Sequence, residues 1–265
     1  QEKFGNGAVA DREMRGKDQD MENDWMHKVP ETVTQVSILD ALLASQFDGC
    51  LSCQELMKYG DHGTGTFDRM DGEMILVDGC MYQVKSDGRV YRPDLDIRTP
   101  FATVCRFRAD QTWTLNESVD LDAMKKMFDE KASNQNVFCA IRVEGTFPYM
   151  LTHALPRQSK PYPPVVDVIR ACPQFEMKNV SGTIVGFRSP PYVKGINDPG
   201  YHLHFLSEDK TRGGHVRALV MSRGDCAIDL CNNHLVILPD NGTALAGIDL
   251  SKDLVKEFED ALSHR

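Results

Sequence analysis

Apolar positions recur with two different periods along this chain, and the change between them sets the expected elements. Residues 1–30, from Gln1 through Asp11, Arg12, Glu13 and Asp18 to Met26, mix charge with glycine and sustain no apolar period, so a mobile arm is expected there. Val36, Ile38, Leu39, Leu42 and Leu43 then follow i, i+3, i+4 spacing. That spacing predicts an amphipathic helix ending before Asp48–Gly49, with a second short helix over 55–59. Next the period falls to two. Residues 64–67, 73–77, 81–85 and 90–92 read as short strands, separated by Asp71–Gly72, Asp78–Gly79 and Asp87–Gly88, pairs suited to tight hairpin turns. A meander is the simplest outcome. Strands over 101–107 and 137–143 follow, with a helix between them in which Met124, Met127 and Phe128 share one face.

Pro148, Pro156, Pro161, Pro163 and Pro164 cluster ahead of a helical stretch over 165–171, and the chain is expected to pass between domains near residue 160. Beyond it, 182–187, 201–205, 215–221, 226–231 and 234–238 read as successive strands of an antiparallel sheet or barrel, followed by a last helix over 250–262. The expected class is α+β: an arm over 1–30, a helix-covered sheet domain over 31–160, and a smaller antiparallel domain over 161–265.

Composition narrows the function classes. The 265 residues are 41% hydrophobic and 26% charged, which suits an ordinary globular chain with a full core. Apolar runs stop well short of the ~20 residues a membrane-spanning helix needs. A net charge of −9, with no Lys/Arg stripe interleaved with aromatics, disfavours nucleic acid and leaves a small molecule as the expected partner. Eight irregularly spaced cysteines suit reduced, buried thiols; Cys50 and Cys53 form a lone C-x-x-C with no second pair to complete a metal set. The chain opens at Gln1 rather than Met. That leaves an exported protein possible, with a cytoplasmic one favoured.

The sharpest chemical signal is His202-Leu203-His204 with His215 eleven residues on. In a strand, His202 and His204 share one face and Leu203 and Phe205 the other. The polar segment from Ser207 to Gly214 is suited to reversing the chain and returning His215 beside His204. Three neutral imidazoles suit zinc, and an empty fourth position marks a catalytic rather than a structural metal. Glu73 leads the apolar strand Met74-Ile75-Leu76-Val77 and is the candidate proton handler.

Several blocks agree in order with one family. Gly65-Thr66-Phe67 with Asp71-Gly72-Glu73, Thr99-Pro100-Phe101-Ala102, Pro156-Arg157-Gln158, Gly186-Phe187-Arg188, and Gly195-Ile196-Asn197 leading into Gly200-Tyr201-His202 and Gly213-Gly214-His215 resemble the alpha-acetolactate decarboxylases. The similarity spans roughly residues 34 to 238. The resemblance implies a homodimer of two-domain subunits, a mixed sheet followed by a smaller antiparallel barrel, and zinc between the domains. It also implies His202, His204 and His215 as ligands, Glu73 and Thr66 lining the site, and a 2-hydroxy-3-oxo acid as substrate. His153 stands where the family pattern has an arginine, four residues before Arg157, and the end Ala261-Leu262-Ser263-His264-Arg265 lacks the family's terminal glutamate. His153, Arg142 and Arg157 are therefore the candidates for holding the departing carboxylate. Two further readings stay open: a cupin-like iron or manganese oxygenase with Glu208 as a fourth ligand, and a metal-binding relative that has lost catalysis.

Overall fold

The computed structural model describes residues 30–239 and 243–263; of 243, 244 and 259–263 it describes the backbone alone. The expected arm over 1–29 lies outside them, as do His264 and Arg265. From Glu31 onward the chain is one compact unit.

It is mostly β, in two seven-stranded sheets. In chain order the elements are β1 (Thr32–Val36), α1 (Leu39–Leu43), β2 (Leu51–Ser52), α2 (Cys53–Leu56), β3 (His62–Thr66), β4 (Glu73–Val77), β5 (Cys80–Val84), β6 (Val90–Tyr91), β7 (Arg98–Thr99) and β8 (Ala102–Cys105). Then come β9 (Gln111–Leu115), β10 (Val119–Asp120), α3 (Leu121–Lys131), β11 (Phe138–His153), α4 (Val165–Arg170), β12 (Gln174–Ser189), β13 (Gly200–Ser207), β14 (Gly213–Met221), β15 (Arg223–Cys231), β16 (Asn233–Ile237), α5 (Thr243–Ala246) and α6 (Leu254–Ser263).

The first sheet runs β16-β1-β8-β3-β4-β5-β6. It is mixed, because β1 and β16 pair in parallel while every other pair is antiparallel. Its β3-β4-β5-β6 stretch is the expected meander. Asp78 and Gly79 both take positive φ, 52° and 67°, as a tight two-residue hairpin turn requires. Asp71–Gly72 departs from expectation: residues 67–72 form a longer connection containing a 3-10 turn at Asp68–Met70.

The second sheet runs β10-β14-β13-β12-β11-β15-β9, and an added β14–β11 pairing closes β11 to β14 on one another as an antiparallel barrel. Leu203, Phe205, Ile184, Phe147, Val216 and Leu219 belong to one buried cluster with the apolar residues of α3. This sheet is not the smaller of the two. It contains the two 16-residue strands, β11 and β12. The change of sheet also precedes residue 160, since β9, β10 and β11 already belong to the second sheet, and β16 returns to the first. Pro148 does not break β11. It sits where that strand leaves β15, whose pairing ends at Thr146, and takes up β14, whose pairing starts at Tyr149, and the β12 register likewise passes from Phe147 to Tyr149 around it.

Val36 ends a central strand rather than starting a helix; only Leu39–Leu43 is helical. In the middle of the first sheet, β3 and β8 approach more closely than side chains permit. A Cβ on Gly65 would lie 2.6 Å from the Phe101 carbonyl oxygen and 2.7 Å from the Ala102 Cα. Gly65→Val is therefore expected to lower stability by about 3 kcal/mol or more, read as a fall in the urea midpoint; an unchanged midpoint would refute the close approach.

Candidate metal centre and active site

β13 presents His202 and His204 on one face, while Leu203 and Phe205 enter the barrel core on the other. His215 on β14 is the direct cross-strand partner of His204. The ligating atoms of His202, His204 and His215 lie within 4.8 Å of one another, and the Nε2 atoms of His202 and His204 are 3.1 Å apart.

The phase of β14 is set by a bulge. Up to Leu151 the register with β11 pairs Leu151 with Ala218, yet Thr152 pairs with Val216 and His153 with His215. Arg217 is the extra residue. Without it His153 would face Val216, and the 215 position would fall out of phase with the histidine face, since a one-residue slip moves side chains to the opposite face.

The surroundings orient two of the rings. His204 is fully buried, and its Nδ1 hydrogen-bonds the Met74 carbonyl oxygen of β4 at 2.8 Å, leaving Nε2 for the site. Burial holds the His204 and His215 rings well below the ordinary histidine range, reinforced by His202. His202 has the Asp198 carboxylate 3.7 Å from its Nδ1. A carbonyl or carboxylate on the far ring nitrogen is the usual orienting arrangement of a metal-bound histidine. Donor type and convergence fit a divalent metal of zinc type, as does the burial that disfavours the charged form of His204 and His215.

Glu73 is 3% exposed and does not face water. Its Oε2 lies 3.5 Å from His204 Nε2 and its Oε1 3.9 Å from His153 Nε2, and it accepts a hydrogen bond from the Leu155 N–H at 3.1 Å. Burial pushes its carboxyl up to about 8, against the lowering effect of that N–H. Thr66 is the cross-strand partner of Glu73, and its hydroxyl donates to the Gly72 carbonyl at 2.7 Å, tying down the connection that delivers Glu73. His153 is buried and stacks on His215, ring centroids 4.7 Å apart and planes 7° from parallel. Burial brings it down to about 4.

The two arginine candidates sit differently. Arg142 is engaged by the Asp78 and Glu144 carboxylates at an outer cleft. It is thus already neutralised, and no bond links it to the histidines. Arg157 is exposed. Sequence reasoning missed Arg217, whose charge depresses both His153 and His215 and which forms no ion pair among the described residues. Its spacing of two from His215 was the available signal. Asp198 was also missed. Glu208 is exposed in the β13–β14 turn and stands outside the histidine group, so the oxygenase reading loses its fourth ligand. Cys50 and Cys53 belong to no converging donor group among the described residues. None of the described helices is long and apolar enough to cross a membrane.

Known proteins agree with this architecture. The sequence profile described as alpha-acetolactate decarboxylase matches residues 33–252. The chain is 43% identical to the alpha-acetolactate decarboxylase of Methanosarcina mazei, covering 92% of this chain and 88% of that one. It is 37% identical to that of Brevibacillus brevis, over 87% and 81%. The crystal structure of alpha-acetolactate decarboxylase from Bacillus subtilis strain 168 superposes with a TM-score of 0.83 at 34% identity, covering 87% of this chain and 98% of that one. A Staphylococcus aureus protein of unknown function similar to alpha-acetolactate decarboxylase gives the same score at 27% identity, covering 87% and 99%. A profile match over most of its length and 43% identity to a relative across 92% of the chain show that it belongs to the alpha-acetolactate decarboxylase family.

Proposed function

We propose that this chain converts 2-acetolactate, a 2-hydroxy-2-methyl-3-oxo acid, to acetoin and carbon dioxide, with zinc held by His202, His204 and His215 between the two sheets. The observation that carries the reading is the placement of a buried carboxyl, Glu73, 3.5 Å from His204 in a cluster of three converging imidazoles. Zinc bound there supplies a Lewis acid that polarises the hydroxyl and ketone oxygens of the substrate as carbon dioxide leaves. The protein supplies the rest. Glu73 holds a proton beside the carbon that loses its carboxylate and delivers it to one face, which fixes the hand of the product. The Leu155 N–H holds that carboxyl, and Thr66 ties down the Gly72 carbonyl just before it.

The carboxylate that departs needs a cation or a hydrogen-bond donor. His153 lies 3.9 Å from Glu73, which gives it a place in the site but, as a neutral ring, only a donor's role. Arg217 supplies positive charge from the same strand as His215. Arg157 stays in the proposal as an anchor that substrate recruits, while Arg142 is already held by two carboxylates at the outer cleft and is the weakest of the candidates. The homodimer implied by the resemblance belongs to this reading as well.

Incubating the purified protein with racemic acetolactate and assaying acetoin tests it. Acetoin formed with one enantiomer in excess is expected, and its loss on chelation with recovery on adding zinc. No acetoin from zinc-replete protein would leave a metal-binding relative without the activity.

A further inference from the structure

A second group of metal-type donors lies apart from the histidines. Cys105 ends β8 in the first sheet; Asp229 and Cys231 lie two apart near the end of β15 in the second and so share a face. Their two sulfurs and a carboxylate oxygen lie within 4.8 Å of one another. All three residues are buried, at 0%, 3% and 2% exposure.

We propose that Cys105, Asp229 and Cys231 form a three-donor site for a thiophilic divalent cation that ties the first sheet to the second where the chain crosses from β15 to β16. Ligands around a tetrahedral zinc, with bonds of about 2.3 Å to sulfur and 2.0–2.2 Å to oxygen, sit roughly 3.5–3.8 Å apart, so closing the present spread takes only side-chain adjustment. The electrostatics call for a cation. Asp229 takes one N–H, from Arg108 at 2.7 Å, and no lysine or arginine side chain pairs with it among the described residues. Asp110, Glu31 and Asp61 add negative charge around it, and with burial they push its carboxyl up to about 6. The Cys105 thiol is likewise held well above its ordinary range, first by its hydrogen bond with Cys231 and then by burial. A buried carboxylate with a single hydrogen-bond donor is costly; the two thiolates would balance the charge of a dication that displaces their protons, and coordination would give the carboxylate oxygen the partner it lacks.

The full chain, reduced and stripped of metal under anaerobic conditions, is titrated with Co2+ while the near-ultraviolet sulfur-to-cobalt charge-transfer band is followed. Imidazole and carboxylate ligands give no such band, so it excludes the histidine site, and the Cys231→Ser variant separates this site from the other thiols. The band is expected to saturate within two equivalents in the wild-type chain, where the histidines also take cobalt, to persist and saturate with one in the His202→Ala/His204→Ala double variant, and to vanish in Cys231→Ser. Asp229→Asn, which keeps both sulfurs, is expected to retain the band with at least tenfold weaker binding, and it covers the case in which Cys231→Ser does not fold. No band in the wild-type chain, a band unchanged in Cys231→Ser, or an intact mass showing a Cys105–Cys231 disulfide in the protein as purified would overturn the proposal.

Discussion

Replacing His204 by Ala is expected to abolish turnover and the retention of metal in the histidine site. The ring is fully buried, and its two nitrogens do different work: Nδ1 bonds the Met74 carbonyl, while Nε2 faces His202 Nε2 and Glu73. Removing it takes away one of three donors and leaves a buried carbonyl without its partner, at a cost of about 1–3 kcal/mol in stability. A lost Lewis acid forfeits several kcal/mol of transition-state stabilisation, so a fall of at least ~10³-fold in kcat/KM is expected. Metal content by elemental analysis and acetoin release measured on the same preparation check it. A variant that keeps stoichiometric metal in the histidine site would contradict the assignment of His204 as a ligand.

Glu73→Gln separates metal binding from proton delivery. The amide keeps the size of the carboxyl and can still accept from the Leu155 N–H, so the fold and the histidine cluster should survive. What disappears is the transferable proton. General acid catalysis contributes about 10²–10⁴-fold, and a loss of that order in kcat with metal content unchanged is the expected result. The stereochemical excess of the residual acetoin should also fall, because water would then protonate from either face. Wild-type turnover in this variant would remove Glu73 from the chemistry.

What was legible in the sequence was local. The alternation that puts His202 and His204 on one face needs only a strand, and the Asp78–Gly79 turn needs only two residues tolerant of positive φ. Glu73 at the head of β4 could be singled out, but its burial could not, because that depends on β13 and on residues 153–155 packing over it. Long-range pairing was the obstacle elsewhere. Thr32–Val36 is a strand because it lies between β16 and β8, some 200 and 70 residues away in sequence, and nothing in its own pattern overrides the helical spacing that begins at Val36. Pro148 reads as a break until the exchange of strand partners around it is known. The bulge at Arg217 was equally invisible, although it decides which way His215 points. Cys105 and Cys231 lie more than a hundred residues apart, so their meeting belongs to the fold and not to any motif.

The central claim is that His202, His204 and His215 share one metal ion on the side of the barrel that faces Glu73. Anomalous scattering from a crystal of the zinc-loaded protein, recorded on both sides of the zinc edge, tests it directly. A peak about 2.0–2.1 Å from one nitrogen of each ring, with Glu73 beside it, is the predicted result. Rings pointing away from one another, with no anomalous density between them, would contradict it.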